Sequence, residues 1–473
     1  MTPKKIASFA IGPIGGALLG FITLPIITWF FTQEDVGRLS MLTIAVSFST
    51  LLFPLGLDQA YVREFHESGN KPKLFKTVVI PGLILLTLVL IALLMLDNQI
   101  AKKLFNINSL TLSLLVALAL LSDFLSRFYS LILRMNEKGL AFSISQILPK
   151  ILLCLIIGGY IIFDVAKDFY HLVTAIVISS LSACVIFSWN TREDWINGFN
   201  DKISIEYLIQ LLKFGFPLIL GGVAFWGLTA TDKILLKELS SFDEVGLYSV
   251  SVSFASSAAI FQSVFSTVWA PTVYKWAASG EGLENIHKVT RFVLLIVVFL
   301  FSLGALFSWL VVYIIPDDYN QVQWILIPCL AYPLFYTLSE TTVVGLGITR
   351  RSGLSLLSAF LAFLVNLIGN WLLIPVWGAK GAAISTSIAF WLFFLLRTEF
   401  AVYAWKPIPR FSLYSYTFIV LSLAIFSCLQ GYIKPEFHYI FWSVVVFSLP
   451  FFFKEECYLI KLWLKENKIR GKS

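Results

Sequence analysis

Charged side chains set inside long apolar runs are where this sequence can do chemistry. Asp123 and Arg127 stand four residues apart in one run, and Lys150 sits midway along the next. Asp232 and Lys233 are adjacent near the end of another, and Glu340 is alone in a fourth. Arg63 closes a further run in Gly56-Leu57-Asp58-Gln59-Ala60-Tyr61-Val62-Arg63. A formal charge in apolar surroundings is costly, so each one implies a partner, a pathway or a site. Each also has a plainer reading. Asp123 and Arg127 share a helical face and can neutralise each other; Arg63 can be an anchor that snorkels to a membrane surface. Glu340 can be a protonated carboxylic acid bridging helices, or a titrating or cation-binding group. Asp232 and Lys233 point in different directions on a helix, so they cannot pair with each other. Cations slightly outnumber acids in this set, which suits an anionic substrate. Asp123, Asp232 and Glu340 are the candidates for coupling to protons or Na⁺.

The usual catalytic and nucleotide signatures are missing. There is no GxxxxGK[ST] to cradle phosphates and no GxSxG elbow. His66, His171, His287 and His438 are isolated, with no HExxH. Cys154, Cys184, Cys329, Cys428 and Cys457 lie far apart without a CxxC. The expectation is therefore a protein that is not an enzyme, with no catalytic residue, cofactor or metal.

The elements that must position these charges follow from composition. The 473 residues are 58% hydrophobic and only 13% charged, with a mean hydropathy of +0.84. Soluble domains carry about 25% charged residues. The apolar material comes in runs of about twenty, the length that crosses a bilayer. Spans are expected near 8–31, 39–61, 77–96, 110–133, 141–163, 169–189, 207–236, 246–270, 290–315, 322–347, 352–376, 380–403, 411–431 and 437–453, and the first run is read as a retained span. The fold class is thus all-α and polytopic, with about fourteen transmembrane helices. The net charge of +7 is a matter of loops, not of nucleic acid. With the N-terminus inside, roughly 25 Lys and Arg fall on the cytoplasmic side against about 7 outside, which puts both termini in the cytoplasm.

Thr32-Gln33-Glu34-Asp35-Val36-Gly37, followed by Ser40, is echoed by Ser241 to Gly246, followed by Ser249. Six spans separate the two stretches. That implies parallel six-helix repeats, 1–190 and 206–404, joined by a cytoplasmic linker at 191–205. Residues 405–473 add two helices and a basic tail. Lys454–Ser473 reads as an amphipathic helix on anionic phospholipids. Gly12, Gly16 and Gly20 recur every fourth residue and line one face, where another helix can approach closely. Pro217 can kink its helix, and Asn366 and Asn370, one turn apart, can hydrogen-bond across helices.

Phe214-Gly215-Phe216-Pro217-Leu218, Asp232-Lys233 and Glu244-Val245-Gly246-Leu247-Tyr248 resemble the start of the second half of Wzx-type polysaccharide flippases, a family grouped with MATE-like transporters and lipid II flippases. Asn366-Leu367-Ile368-Gly369-Asn370-Trp371-Leu372-Leu373-Ile374-Pro375, then Gly378-Ala379-Lys380-Gly381-Ala382-Ala383, is similar to the same family's pattern and is its most specific part. So is Gly56-Leu57 with Arg63. The resemblance implies two pseudo-symmetric six-helix bundles around a cavity, with Pro375, Gly378 and Gly381 in structural roles. It also implies an undecaprenyl-diphosphate-linked oligosaccharide as substrate, destined for O-antigen, capsule or a related polymer of a bacterial inner membrane. Arg127, Lys150 and Lys233 would then line the cavity, with Arg63 at its inner mouth, since diphosphate needs cations to replace its hydration. The protein would be monomeric, with polysaccharide polymerase and assembly proteins as its protein partners. The two helices after residue 404 depart from the twelve of many relatives. A multidrug or cation antiporter on the same scaffold would favour an acidic, aromatic pocket. A membrane polymerase or ligase would need longer outer loops.

Overall fold

The computed structural model describes residues 3–96, 99–198, 201–279, 282–458 and 461. Among them every regular element is a helix. In the first half the helices are α1 (Pro3–Phe30), α2 (Gln33–Leu52), α3 (Leu57–Glu64), α4 (Lys71–Met95), α5 (Gln99–Phe105), α6 (Leu110–Met135), α7 (Gly139–Ile162), α8 (Phe169–Asn190) and α9 (Arg192–Ile196). There follow α10 (Ile205–Leu239), α11 (Phe242–Ala255), α12 (Ala259–Ser279), α13 (Gly282–Leu306), α14 (Val322–Cys329), α15 (Ala331–Ile348), α16 (Ser352–Ala404), α17 (Phe411–Gln430) and α18 (Pro435–Phe452).

Eleven of the helical stretches are long and apolar enough to cross a membrane. One of them, α16, is two spans merged across a kink. The apolar Leu18–Phe30 part of α1 and the 18-residue α18 are further apolar helices at two positions where spans are expected. This is a multi-pass membrane protein.

Several boundaries differ from the hydropathy reading. The span expected at 39–61 stops at Leu52. Pro54 and two left-handed residues, Leu55 (φ 55°) and Gly56 (φ 70°), then turn the chain into the separate helix α3. Hydropathy cannot see this break, because Leu55 and Leu57 are as apolar as a continuing span. The span expected at 290–315 ends at Leu306 and continues as a 3-10 turn, Ser308–Tyr313. The connection expected across 377–381 has no loop at all. The chain bends at Gly378 alone, at φ 52° and ψ −128°, a region essentially closed to residues with a β-carbon. Gly381 then packs on Leu373, Gly369 on Ser385 and Asn366 on Thr386, so the two halves of α16 run antiparallel. The amphipathic tail expected at 454–473 falls mostly outside the described residues.

Caps explain where the repeated motif starts its helices. Thr32 accepts from the Asp35 amide at 3.2 Å, and Asp35 Oδ2 accepts from the Thr32 amide at 3.4 Å, which is a capping box. In the second copy Ser241 Oγ accepts from the Glu244 amide at 3.3 Å. The two copies also meet. A β-carbon on Gly37 would overlap the Phe242 carbonyl, and one on Gly246 would overlap the Gln33 carbonyl. Glycine lets the two helix starts cross backbone to backbone.

The contacts divide the chain into two compact units, Met1–Ile234 with Ser241–Gly246, and Leu235–Ser240 with Leu247–Ser473. In the first, α6 packs its most apolar face on α8 and α2. Phe75, Phe124, Phe128 and Tyr129 fill the interior there. In the second, α15 lies against α16, α12 and α13.

Candidate functional site

In the first unit the intramembrane cations have found partners that spacing alone did not name. Arg127 on α6 does not reach for Asp123. Its Nη2 lies 2.5 Å and its Nε 3.2 Å from Asp58 Oδ2. Asp58 is 5% exposed and also accepts from Gln59 at 3.0 Å, whereas the Arg127 side chain is 40% exposed. The guanidinium thus keeps donors free of Asp58 while its charge is balanced. The turn at Leu55–Gly56 is what swings α3, and Asp58 with it, against α6. Asp123 is partly exposed and makes no hydrogen bond or ion pair among the described residues.

Lys150 on α7 donates to the Gly16 carbonyl of α1 at 2.5 Å. The glycine face of α1 makes this reach short. Gly12 lies against Ser143, its amide donating to Ser143 Oγ at 2.9 Å, and Gly20 lies beside the Lys150 ammonium. Arg63 is 56% exposed along its side chain, with its guanidinium 4.5 Å from the centre of the Phe214 ring. That ring is three residues before Pro217, which lies inside α10. Further along α10, Asp232 is buried and Lys233 half-buried.

The second unit holds two polar constellations. Glu340 on α15 accepts from Ser266 Oγ of α12 at 2.5 Å, and its carbonyl accepts from Trp269 Nε1 at 2.9 Å. Arg397 on α16 donates to Ser339 Oγ at 2.7 Å, and its guanidinium lies 4.9 Å from the Phe393 ring centre and 5.4 Å from that of Tyr336. Ser266, Trp269, Glu340, Arg350 and Arg397 border a cavity of about 440 Å³. It offers two guanidinium groups and one carboxylate beside an indole, so it can take an anion between the arginines or a proton on Glu340. The second constellation sits inside the α16 hairpin. Asn370 donates to Asn366 at 2.8 Å, Asn366 donates to Thr386 Oγ1 at 3.0 Å, and Ser385 donates to the Asn366 carbonyl at 3.0 Å. Asn366 and Asn370 are fully buried, and this network locks the two spans on either side of Gly378, just beyond Pro375.

Comparison with known proteins places the chain. A family described as polysaccharide biosynthesis protein matches residues 3–276. The chain belongs to that family. Among curated proteins it is similar to the multidrug resistance protein NorM of Aliivibrio fischeri, 25% identical over 44% of the chain, and to NorM of Vibrio vulnificus, 23% identical over 40%. It spans about half the length of these relatives, 47% and 43%. Among solved structures its fold is that of the lipid II flippase MurJ in an inward closed conformation, with a TM-score of 0.66 and 16% identity over 96% of this chain and 99% of that one. An inward-facing multidrug resistance MATE family transporter of the MOP superfamily gives a TM-score of 0.60 with 13% identity, covering 81% and 93%.

Two charged residues take positions that sequence reading did not assign. Asp58 stands in the Gly56–Arg63 stretch, where spacing gives it no partner. Arg397 sits about two turns inside α16, which runs on to Ala404. The length of that helix carries the signal: a basic residue seven positions before a helix end is still within the packed part.

Proposed function

We propose that this polysaccharide biosynthesis protein carries undecaprenyl-diphosphate-linked oligosaccharide units from the inner to the outer leaflet of a bacterial cytoplasmic membrane. The halves 1–190 and 206–404 would alternate in access, with both termini cytoplasmic. The family match over 3–276 is the observation that carries this reading. What supports it physically is the set of cations that keep donors to spare. Arg127, balanced by Asp58, presents N–H groups suited to phosphate oxygens, and Lys150, with one of three donors on Gly16, adds a point charge. Arg63 and Lys233 complete the proposed headgroup contacts. Asp123, Asp232 and Glu340 are the proposed coupling groups, through protons, Na⁺ or the membrane potential.

The test is a proteoliposome assay that follows a lipid-linked oligosaccharide between leaflets. Arg127→Ala, Lys150→Ala and Lys233→Ala should each slow transfer at least about tenfold, the size of one lost charged hydrogen bond. Wild-type rates in all three at normal protein levels would reject the site. A second reading, a multidrug or cation antiporter, draws on Glu340 lying beside Trp269. Proton- or Na⁺-driven efflux of an organic cation, without glycolipid transfer, would favour it.

A further inference from the structure

A further cavity in the second unit lies away from the intramembrane charges. It lies at the other end of α15 and α16 from Glu340 and Arg397, has a volume of about 690 Å³, and is walled by Trp309, Tyr313, Asp317, Asp318, Lys380 and Tyr432, with Asn320, Gln321 and Gln323 between them and Trp324 behind. That volume is in the range of about 300–1,000 Å³ typical of small-molecule sites. Three stretches build it: the 3-10 turns after α13 with the start of α14, Lys380 just past the Gly378 bend, and the α17–α18 turn. We propose that this cavity is a saccharide-binding site, distinct from the headgroup-binding residues, that takes an uncharged, hydroxyl-rich glycan.

The side chains argue against other ligands. Exposed aromatic rings alone would be read as a bilayer-interface belt. Here Trp309, Tyr313 and Tyr432 (39%, 78% and 79% exposed) share their hollow with two carboxylates and three amides, which lipid tails would leave unsatisfied. An anion would meet Asp317 and Asp318 against the single ammonium of Lys380. A metal ion is not favoured, because no group of three His, Cys, Asp or Glu is found among the described residues. A sugar uses everything present. Its hydroxyls donate to carboxylates and exchange hydrogen bonds with amides, while its apolar C–H face lies flat on an aromatic ring.

The back wall is also held in place. Trp324 is 5% exposed, and its indole N–H, although buried, has no hydrogen-bond partner among the described residues, so the wall carries an unspent donor. Its ring packs edge-on against His438, 5.1 Å between centres. His438 is fixed by Ser427 at 2.8 Å and by the Ala305 carbonyl at 3.1 Å, which ties α13, α17 and α18 together beneath the indole. A β-carbon on Gly431 would overlap the Trp324 ring; glycine there brings the α17–α18 turn, and Tyr432 with it, up to the wall. The two helices beyond residue 404 thereby gain a role. Under the charge-based orientation this end faces outward, where a glycan would arrive after transfer.

The test uses the full chain in lipid nanodiscs and, as probe, the oligosaccharide freed by mild acid from the lipid-linked pool of the source cells, titrated by intrinsic tryptophan fluorescence and saturation-transfer NMR. Saturable binding is expected. Trp309→Ala, and Asp317→Asn combined with Asp318→Asn, should each weaken it about tenfold or more. The three residues are exposed, so unfolding temperatures should hold. Arg127→Met combined with Asp58→Asn, the pair of changes that leaves no stranded charge, should slow transfer and keep this binding, which separates the fate of this proposal from that of the proposed function. No binding by the wild type, or equal binding by both cavity variants, would overturn it.

Discussion

Replacing Arg127 separates charge balance from transport. Arg127→Met leaves Asp58 with only the Gln59 hydrogen bond at 3.0 Å, in a site where Asp58 is 5% exposed. Breaking a fully buried pair costs about 3–5 kcal/mol and an exposed one under about 1 kcal/mol. With the Arg127 side chain 40% exposed and Asp58 side chain 7%, a loss of about 2–3 kcal/mol is expected, or about 30- to 150-fold in the folded-to-unfolded ratio. Adding Asp58→Asn removes the stranded charge and should restore stability to within about 1 kcal/mol of wild type. Thermal unfolding in detergent reads this cycle. The leaflet-transfer assay then reads what stability cannot. If Arg127 meets the phosphate groups, the double variant will be as stable as wild type and still transfer at a few per cent of its rate. A stable double variant with wild-type transfer would refute the reasoning and leave Arg127 as no more than the counter-ion of Asp58.

Gly37→Ala should destabilise the first unit by about 2 kcal/mol or more, because the added β-carbon overlaps the Phe242 carbonyl and backbone cannot yield as a side chain can; lowered unfolding temperature and yield would show it. Lys150→Met keeps the aliphatic stem and gives up the bond to Gly16, so unfolding should shift by only about 1 kcal/mol while transfer falls. Asp168 caps α8, accepting from the His171 amide at 2.9 Å. Burial alone would raise its carboxyl, but the hydrogen bonds and charge of His171 outweigh that and hold it below its ordinary value. Its stabilisation is therefore present above the unfolded carboxylate pKa of about 3.9 and is lost as pH falls through the lower folded value. The gap in unfolding temperature between wild type and Asp168→Ala should be open above the unfolded carboxylate value and close only in strong acid.

What the sequence determined by itself is local and compositional. Twenty-residue apolar runs can satisfy their backbone in a bilayer only as helices, so the all-α, multi-span fold was legible. The Thr32 and Ser241 stretches announced a repeat because a cap needs a hydroxyl three residues ahead of the amide it accepts from. Asn366 and Asn370 could be singled out as amides one turn apart in an apolar run, while Gly378 was marked only by the family resemblance. The tertiary structure decided who meets whom. Asp123 and Arg127 have ideal helical spacing, yet Arg127 turns to Asp58, which a left-handed turn at Leu55–Gly56 delivers from another helix. Arg397 meets Ser339 because α16 runs on for two turns beyond it. The Trp309–Tyr432 cavity joins three stretches more than fifty residues apart in places. Pairing across such separations depends on where helices end and how they cross, and neither hydropathy nor spacing encodes those angles.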